Sequence, residues 1–463
     1  MKALTEKFAR CELNVSKPLV SFRETVLSCD GSFKHQLPPP WSEELAKNTS
    51  ATGGRASFTL PIHSGEFVDS LSVSLRCSQL PVNCLPALTA LEIGTGNETS
   101  QQKFSDYIFQ YHKSCQERSF ATSTTSEDSC LSAIQTTVTE ENWSSQFDNA
   151  WRTLVHSFFA EEFNPENGEI QSQSLLCRIL SVGSRNIGTN LLLLDSDCFI
   201  SIHDGDVQKA VILLKERPYL FWKVWYRIHS SIVAGFELCA SSGPLMQEPL
   251  HGVCFSVEGS KIPLSVCHGI FDQQELENLS LAVAGKEGKV TSGISSMVSG
   301  QLISETRDCL RVAMLSTPLR VVEPIYDCNL QCEQSQLGNL YSVLAKRRGE
   351  VYKEDIIEGT TLFVLSAHLA VSESFGFAQE LLKKTSGSGT TPQLKFSHWA
   401  VIEEDPFWRP VTEEELEEFG ETASAEHKLP RVLIDQVRKR KGLPIEEKVV
   451  VYAEKQRTLN KKK

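Results

Sequence analysis

No run of about twenty uncharged apolar residues occurs in the 463-residue sequence, so no segment has the length of a membrane-crossing helix. The apolar stretch Leu191–Leu194 stops at Asp195 and Asp197. The opening MKALTEKFARCELNV is broken by Lys7 and Arg10 and lacks the apolar core of a secretion signal. The 14 cysteines contain no Cys-x-x-Cys, and Cys328 and Cys332 have no second pair at zinc spacing. They read as reduced, mostly buried thiols of a cytoplasmic protein. The Asn-x-Ser/Thr triplets, as at Asn48 and Asn142, then count as chance matches.

Catalytic signatures are also missing. There is no Gly-x-x-x-x-Gly-Lys-[Ser/Thr] phosphate loop. The stretch Gly285–Val290 (GKEGKV) spaces its glycines too closely and ends on Val290 where a Mg-binding hydroxyl is needed. Neither His-Glu-x-x-His nor Gly-x-Ser-x-Gly occurs. His203, Asp204 and Asp206 read as a turn, and His251 and His268 as structural or exposed. The expectation is no catalytic residue, no metal and no cofactor held by this chain.

What is present is core-forming material: 40% hydrophobic and 22% charged residues, enough for several domains. Net charge is −12, which excludes a protein that coats nucleic acid over its whole surface. The charge is uneven. From Lys428 to Lys463 twelve Lys/Arg face four Asp/Glu, so the tail is near +8 and the rest near −20. Such a tail suits a local phosphate contact, although a solvated terminus has the same composition.

Leu4 and Phe8 share a helical face, and Cys11, Leu13 and Val15 alternate like a strand. Residues 36–56 read as a linker. Phe58, Leu60 and Ile62 alternate like a strand, and a helix is expected from Glu66. Residues 92–145, rich in Ser, Thr, Gln and Glu, read as a disordered insertion. Ser230–Leu238 reads as a helix, Gly252–Val257 as a strand, Gly285–Ser299 as a loop and Gln301–Ser316 as an amphipathic helix.

The clearest pattern lies in residues 321–403. Strand Val321–Cys332 precedes a helix Ser335–Arg347, with Ser335 as a candidate N-cap and Gly349 after its end. Strands Glu350–Ile357 and Thr361–Val371, a helix from Glu373 to Lys384 with Phe375 in the core, and strand Gln393–Ile402 follow. The order βαββαβ predicts a ferredoxin-like sheet with two helices on one face. Acidic Glu413–Glu418 and a helical run Val432–Lys441 lead to the basic end.

Several segments resemble one family, elongation factor two and elongation factor G. They are PLVSFRETV (Pro18–Val26), IVAGFEL (Ile232–Leu238), EPLHGVCF (Glu248–Phe255), SGQLISETRDCL (Ser299–Leu310), EPIYDCNLQC (Glu323–Cys332), LAKRRGEVYKED (Leu344–Asp355), VSESFGFAQEL (Val371–Leu381), FSHWAVIEEDPF (Phe396–Phe407) and VRKRKGLP (Val437–Pro444). The resemblance implies an α+β, multidomain chain. Residues 1–20 would be a remnant of a third domain, and 21–318 a fourth-domain-like α/β domain with a left-handed βαβ crossover. Residues 319–408 would be a fifth domain, and 409–463 a C-terminal helix and basic tail. A truncated product of a longer factor is consistent with the same features.

In the translocating factor a modified His shortly precedes Gly-Gln in the fourth domain's tip loop. Here the tip loop reads Ser296, Met297, Val298, Ser299, Gly300, Gln301, and Ser296 stands at the His position. That departure favours the family's large-subunit maturation branch over translocation. The implied partners are large-subunit rRNA, stalk-base proteins and the Shwachman-Bodian-Diamond syndrome protein, with no membrane and no DNA. GTP and Mg would belong to the full-length family member. Candidate rRNA contacts are Lys346, Arg347 and Arg348 at one helix end and Arg438, Lys439, Arg440 and Lys441 at another. Complementing the helix dipole accounts for the first cluster equally well.

Overall fold

A computed structural model of the chain describes residues 19–28, 37–46, 51–64, 67–80, 85, 178–184, 187–204, 207–267, 296–357, 359–408, 410, 413–419 and 428–445. The insertion expected at 92–145 and most of the remnant expected at 1–20 lie outside these residues, as do Asn48, Asn142, Asp206 and His268. Two units divide the chain: residues 24–320 with 403–463, and 321–402 with the segment ending at Arg23.

The first unit contains β1 (Arg23–Val26, whose first residue belongs to the other unit), α1 (Trp41–Ala46), β2 (Arg55–Ser64), β3 (Phe67–Gln79), β4 (Ile179–Ser184), β5 (Ile187–Asp204) and β6 (Val207–Leu213). Helix α2 (Pro218–Ser241), β7 (Val253–Pro263) and α3 (Ser296–Leu315) follow. The sheet order is β2-β3-β7-β5-β4, with β6 also on β5. Only the β5–β7 pair among these registers is parallel. Leu191–Leu194 is therefore an interior strand segment, buried on both sides as in parallel sheets.

The structure departs from the sequence expectations at two elements of this unit. The helix expected from Glu66 is strand β3, because Leu71, Val73, Leu75 and Cys77 are buried at period two with Ser72, Ser74 and Arg76 between them. The linker expected at 36–56 contains α1, whose Trp41 is fully buried and donates Nε1–H to Pro244 O at 3.1 Å. A third difference concerns the expected tip loop. Ser296–Gln301 forms the opening turns of α3, and Ser299 Oγ lies 2.7 Å from Ser231 Oγ on α2. Contact with α2 outweighs the weak helix preference of Ser and Gly there.

Helices α2 and α3 pack on each other and on the sheet. Phe221 stacks on Trp225 at 5.8 Å, and Phe236 meets Phe255 edge-on at 5.9 Å. Gly235, in the middle of α2, marks the closest crossing. A Cβ there would fall 2.7 Å from Thr306 Cβ and 2.9 Å from Ile303 O on α3.

The second unit contains β8 (Leu319–Glu333, which starts two residues before the unit), α4 (Leu337–Lys346), β9 (Glu350–Ile356), β10 (Leu362–Ala370), α5 (Phe377–Lys384) and β11 (Gln393–Val401). β10 pairs antiparallel with both β8 and β9, and β11 pairs antiparallel with β8, giving the order β11-β8-β10-β9. Cys328, Leu330, Leu365, Ala367, Leu340 and Leu344 form its core with Phe377 and Leu381. Phe377, not Phe375, is the core aromatic: Phe375 is 45% exposed. Gly376 takes φ 76°, which ends a short turn at Ser374 and restarts the helix at Phe377. Ser335 does not cap α4. It lies in a 3₁₀ turn, and Gln336 holds the N-cap position without a side-chain bond.

Replacing Gly235 with Ala should lower stability by roughly 1–3 kcal/mol through overpacking, where an ordinary helical Gly→Ala change raises it. Chemical denaturation of both chains measures this.

Candidate functional site

Of the first basic cluster, Lys346 is 70% exposed at its side chain and Arg347 only 16%. Both reach Glu380, Lys346 Nζ to Oε1 at 2.7 Å and Arg347 Nη2 to Oε2 at 2.6 Å. The hydrogen bonds from Lys346 and then Arg347 hold the Glu380 carboxyl at about 2. Arg347 Nη1 also donates to Glu373 O and Phe375 O. Its fork thus fastens the end of α4 to the turn before α5. Arg348 takes φ 55° and forms a two-pronged pair with Glu323 at 2.9 and 3.0 Å. The left-handed residue at this helix end is therefore Arg348 rather than Gly349. Two carboxylates pair with all three cations of this cluster, and of the open cationic edge expected from the sequence only Lys346, itself paired with Glu380, is mostly exposed.

The second cluster divides the same way. Helix α7 (Leu429–Lys441) follows an acidic helix α6 (Glu413–Phe419). Leu433, Ile434 and Val437 bury one face of α7, and Arg431 and Arg438 are buried with them. Their guanidinium carbons stand 4.8 and 4.5 Å from the Trp41 ring centre, and Arg431 also lies 5.5 Å from that of Phe407. Arg438 Nη1 donates to Leu245 O, and Lys441 Nζ to Met246 O at 2.9 Å and to Gln247 O. Lys441 also pairs with Glu248 at 2.8 Å. Lys439 and Arg440 are exposed.

The loop that receives these carbonyl contacts, residues 242–251, is wrapped around a buried carboxylate. Glu24 is fully buried and accepts N–H bonds from Leu245 (2.7 Å), Met246 (2.9 Å) and Glu248 (3.1 Å). Burial pushes its carboxyl above the usual range, while the three N–H groups and Arg311 pull the other way. The loop's N–H groups thus face inward to one carboxylate, and its carbonyls face two cations of α7. Sequence reading missed Glu24: a lone carboxylate in RETV carries no signal of burial. It also missed Lys383 and Lys384, exposed in the last turn of α5.

His203 bonds Ser201 Oγ at 2.7 Å, and His251 Nδ1 bonds Thr189 Oγ1 at 2.8 Å. Among the described residues, no three His, Cys, Asp or Glu side chains group as a metal site. A groove of about 1090 Å³ in the first unit is lined by Glu44, Glu305, Asp308, Arg307 and Arg311. Arg311 is held there by Glu44 at 2.8 Å. The exposed cations suit contact with a polyanion.

Residues 320–409 match the family described as Elongation factor G C-terminus. Over 99% of its length the chain is 33% identical to Elongation factor-like GTPase 1 of Homo sapiens, covering 40% of that protein. It is 32% identical to Ribosome assembly protein 1 of Saccharomyces cerevisiae, over 100% of the chain and 34% of that protein. It is 30% identical to the Schizosaccharomyces pombe protein of the same name, covering 38% of it. The chain is a homologue of part of the elongation factor-like GTPases, spanning about two fifths of their length. A crystal structure of a Thermus thermophilus protein aligns with 93% of the chain and 33% of itself, at 13% identity and TM-score 0.37, and carries no argument at that score.

Glu24→Ala leaves three buried N–H groups unpaired, each costing about 1–3 kcal/mol. Urea unfolding should show a loss of roughly 3 kcal/mol or more, and Lys439→Ala, at an exposed position, a change within about 0.5 kcal/mol.

Proposed function

We propose that this chain docks on the large ribosomal subunit within an elongation-factor-like GTPase that acts in cytoplasmic maturation of that subunit. The observation that supports this most is similarity over nearly the whole chain to proteins named Elongation factor-like GTPase 1 and Ribosome assembly protein 1. On this reading residues 21–318 correspond to the family's fourth domain and 319–408 to its ferredoxin-like fifth. The opening turns of α3, Ser296–Gln301, stand at the fourth domain's tip. Lys346, Lys439 and Arg440 touch rRNA phosphates, which needs charge on a rigid support rather than base readout. Arg347, Arg348, Arg438 and Lys441 act indirectly, by holding the helices that carry them. The sequence has no phosphate loop, so GTP and Mg are handled outside the matched portion. Hydrolysis in the intact factor then releases the anti-association factor together with the Shwachman-Bodian-Diamond syndrome protein, next to the stalk base.

Sedimentation with purified large subunits tests the reading. The chain should co-migrate at low salt and dissociate as salt rises. Lys439→Glu with Arg440→Glu should weaken binding and lower the salt slope by about one per lost phosphate contact. A chain that stays at the top of the gradient at low salt rules the reading out.

A further inference from the structure

The sheet of the first unit has a second face. Directly paired residues in a sheet share a face, and the register lays out two rows across it. One row runs Ser57, Ser74, Gly259, Phe199 and Leu213. The next runs Thr59, Ser72, Lys261, Ser201 and Val211. Their neighbours Phe58, Val73, Ile200 and Ile262 are buried on the opposite, helix-covered side. Further along β2 and β3, Arg55 pairs with Arg76.

The chemistry of this face is hydroxyls, cations and one aromatic ring, with the aliphatic Val211 and Leu213 at the β6 edge. Arg55 is taken up by Glu258 at 2.7 Å. Arg76 and Lys261 have no ion-pair partner among the described residues. His203, bonded to Ser201, is held below its ordinary pKa by burial and then by the charge of Lys261, so positive potential extends to that edge. In a chain of net charge −12 this strip is a local exception. Phe199 is 42% exposed and lies over Gly259, where an added Cβ would fall 2.7 Å from the ring. Bare backbone therefore supports the ring from below, and its outer side meets solvent. Arg76 and Lys261 lie on neighbouring strands, four residues apart in register, or ~13 Å along the strand direction.

We propose that this face binds single-stranded RNA, with phosphates on Lys261 and Arg76 and one base stacked on Phe199. The positive strip complements a phosphate backbone, and a flat ring on a polar sheet suits one base better than a protein's aliphatic cluster. Phe199, Val211 and the half-buried Leu213 offer too little apolar area for a protein hot spot. Serine and threonine hydroxyls along both rows add donors for phosphate and sugar oxygens. The choice of RNA as the polymer rests on the ribosomal reading above.

The test is fluorescence anisotropy of a labelled oligoribonucleotide of about ten nucleotides, within known site sizes for such surfaces, titrated with the full chain. Binding should fall with salt. Lys261→Glu with Arg76→Glu should weaken it and reduce the salt slope by about 1.4. Phe199→Ala should cost roughly tenfold in affinity, and Phe199→Tyr, which keeps the ring, should bind like the parent. Gly259→Ala, which displaces the ring without altering charge, should match Phe199→Ala, with circular dichroism confirming that each variant is folded. The proposal is overturned by absence of oligonucleotide binding at low salt. Parental affinity in Phe199→Ala overturns it too, as does equal competition by duplex RNA or anionic phosphatidylserine vesicles. A chain that sediments with large subunits yet ignores the oligonucleotide overturns this assignment alone.

Discussion

The buried carboxylate of Glu24 is the constraint on which the first unit's organisation depends. A carboxylate at zero exposure is tolerable only when its oxygens are bonded, and here the backbone of residues 245–248 supplies the bonds. Turning those N–H groups inward turns the neighbouring carbonyls toward α7, where Arg438 and Lys441 meet them. One acidic side chain near the start of the unit thereby fixes the seat of a basic helix near its end. The Trp41 ring, beside Arg431 and Arg438, closes the same seat with cation–π contacts.

This arrangement sorts the cations by job. A run of four basic residues at a helix end invites the view that all four face a ligand. In α7 Arg438 is buried, and Lys441, three residues on and exposed, reaches back to the same loop, while Lys439 and Arg440 lie on the outer face. The end of α4 repeats the logic in the other unit: the side chains of Arg347 and Arg348 are half-buried against Glu380 and Glu323, while Lys346 meets Glu380 from the solvent side. The rigid guanidinium forks hold structure, and the lysine pairs from the solvent side, where an ion pair is weak.

Much of the 321–402 unit was legible in the sequence, because β8 and β10 alternate in part and its helices carry apolar residues at helical spacing. Strand β9 was expected at Glu350–Ile357 and ends at Ile356, and β11 was expected at Gln393–Ile402 and ends at Val401. The failures were local. Phe375 and Phe377 look equivalent until Gly376 adopts a left-handed turn between them. Strand β3 was mistaken for a helix because its serines masked a period-two pattern visible only at Leu71, Val73, Leu75 and Cys77. Trp41 sits in a proline-rich stretch that looks like linker by composition, and its burial depends on Phe407 and α7, far along the chain. The candidate site was legible as charge but not as geometry: ion pairs to Glu380 and Glu323 join residues that no short motif connects.

The division between structural and contacting cations is tested most directly by lysine-reactivity footprinting of the chain, free and bound to large ribosomal subunits. The account predicts that Lys346 and Lys439 react readily in the free chain and become protected on the subunit. Lys441, tied to Met246 O and Glu248, should react slowly in both states. Unchanged reactivity of Lys346 and Lys439 on the subunit, or a Lys441 as reactive as Lys439 in the free chain, would contradict it.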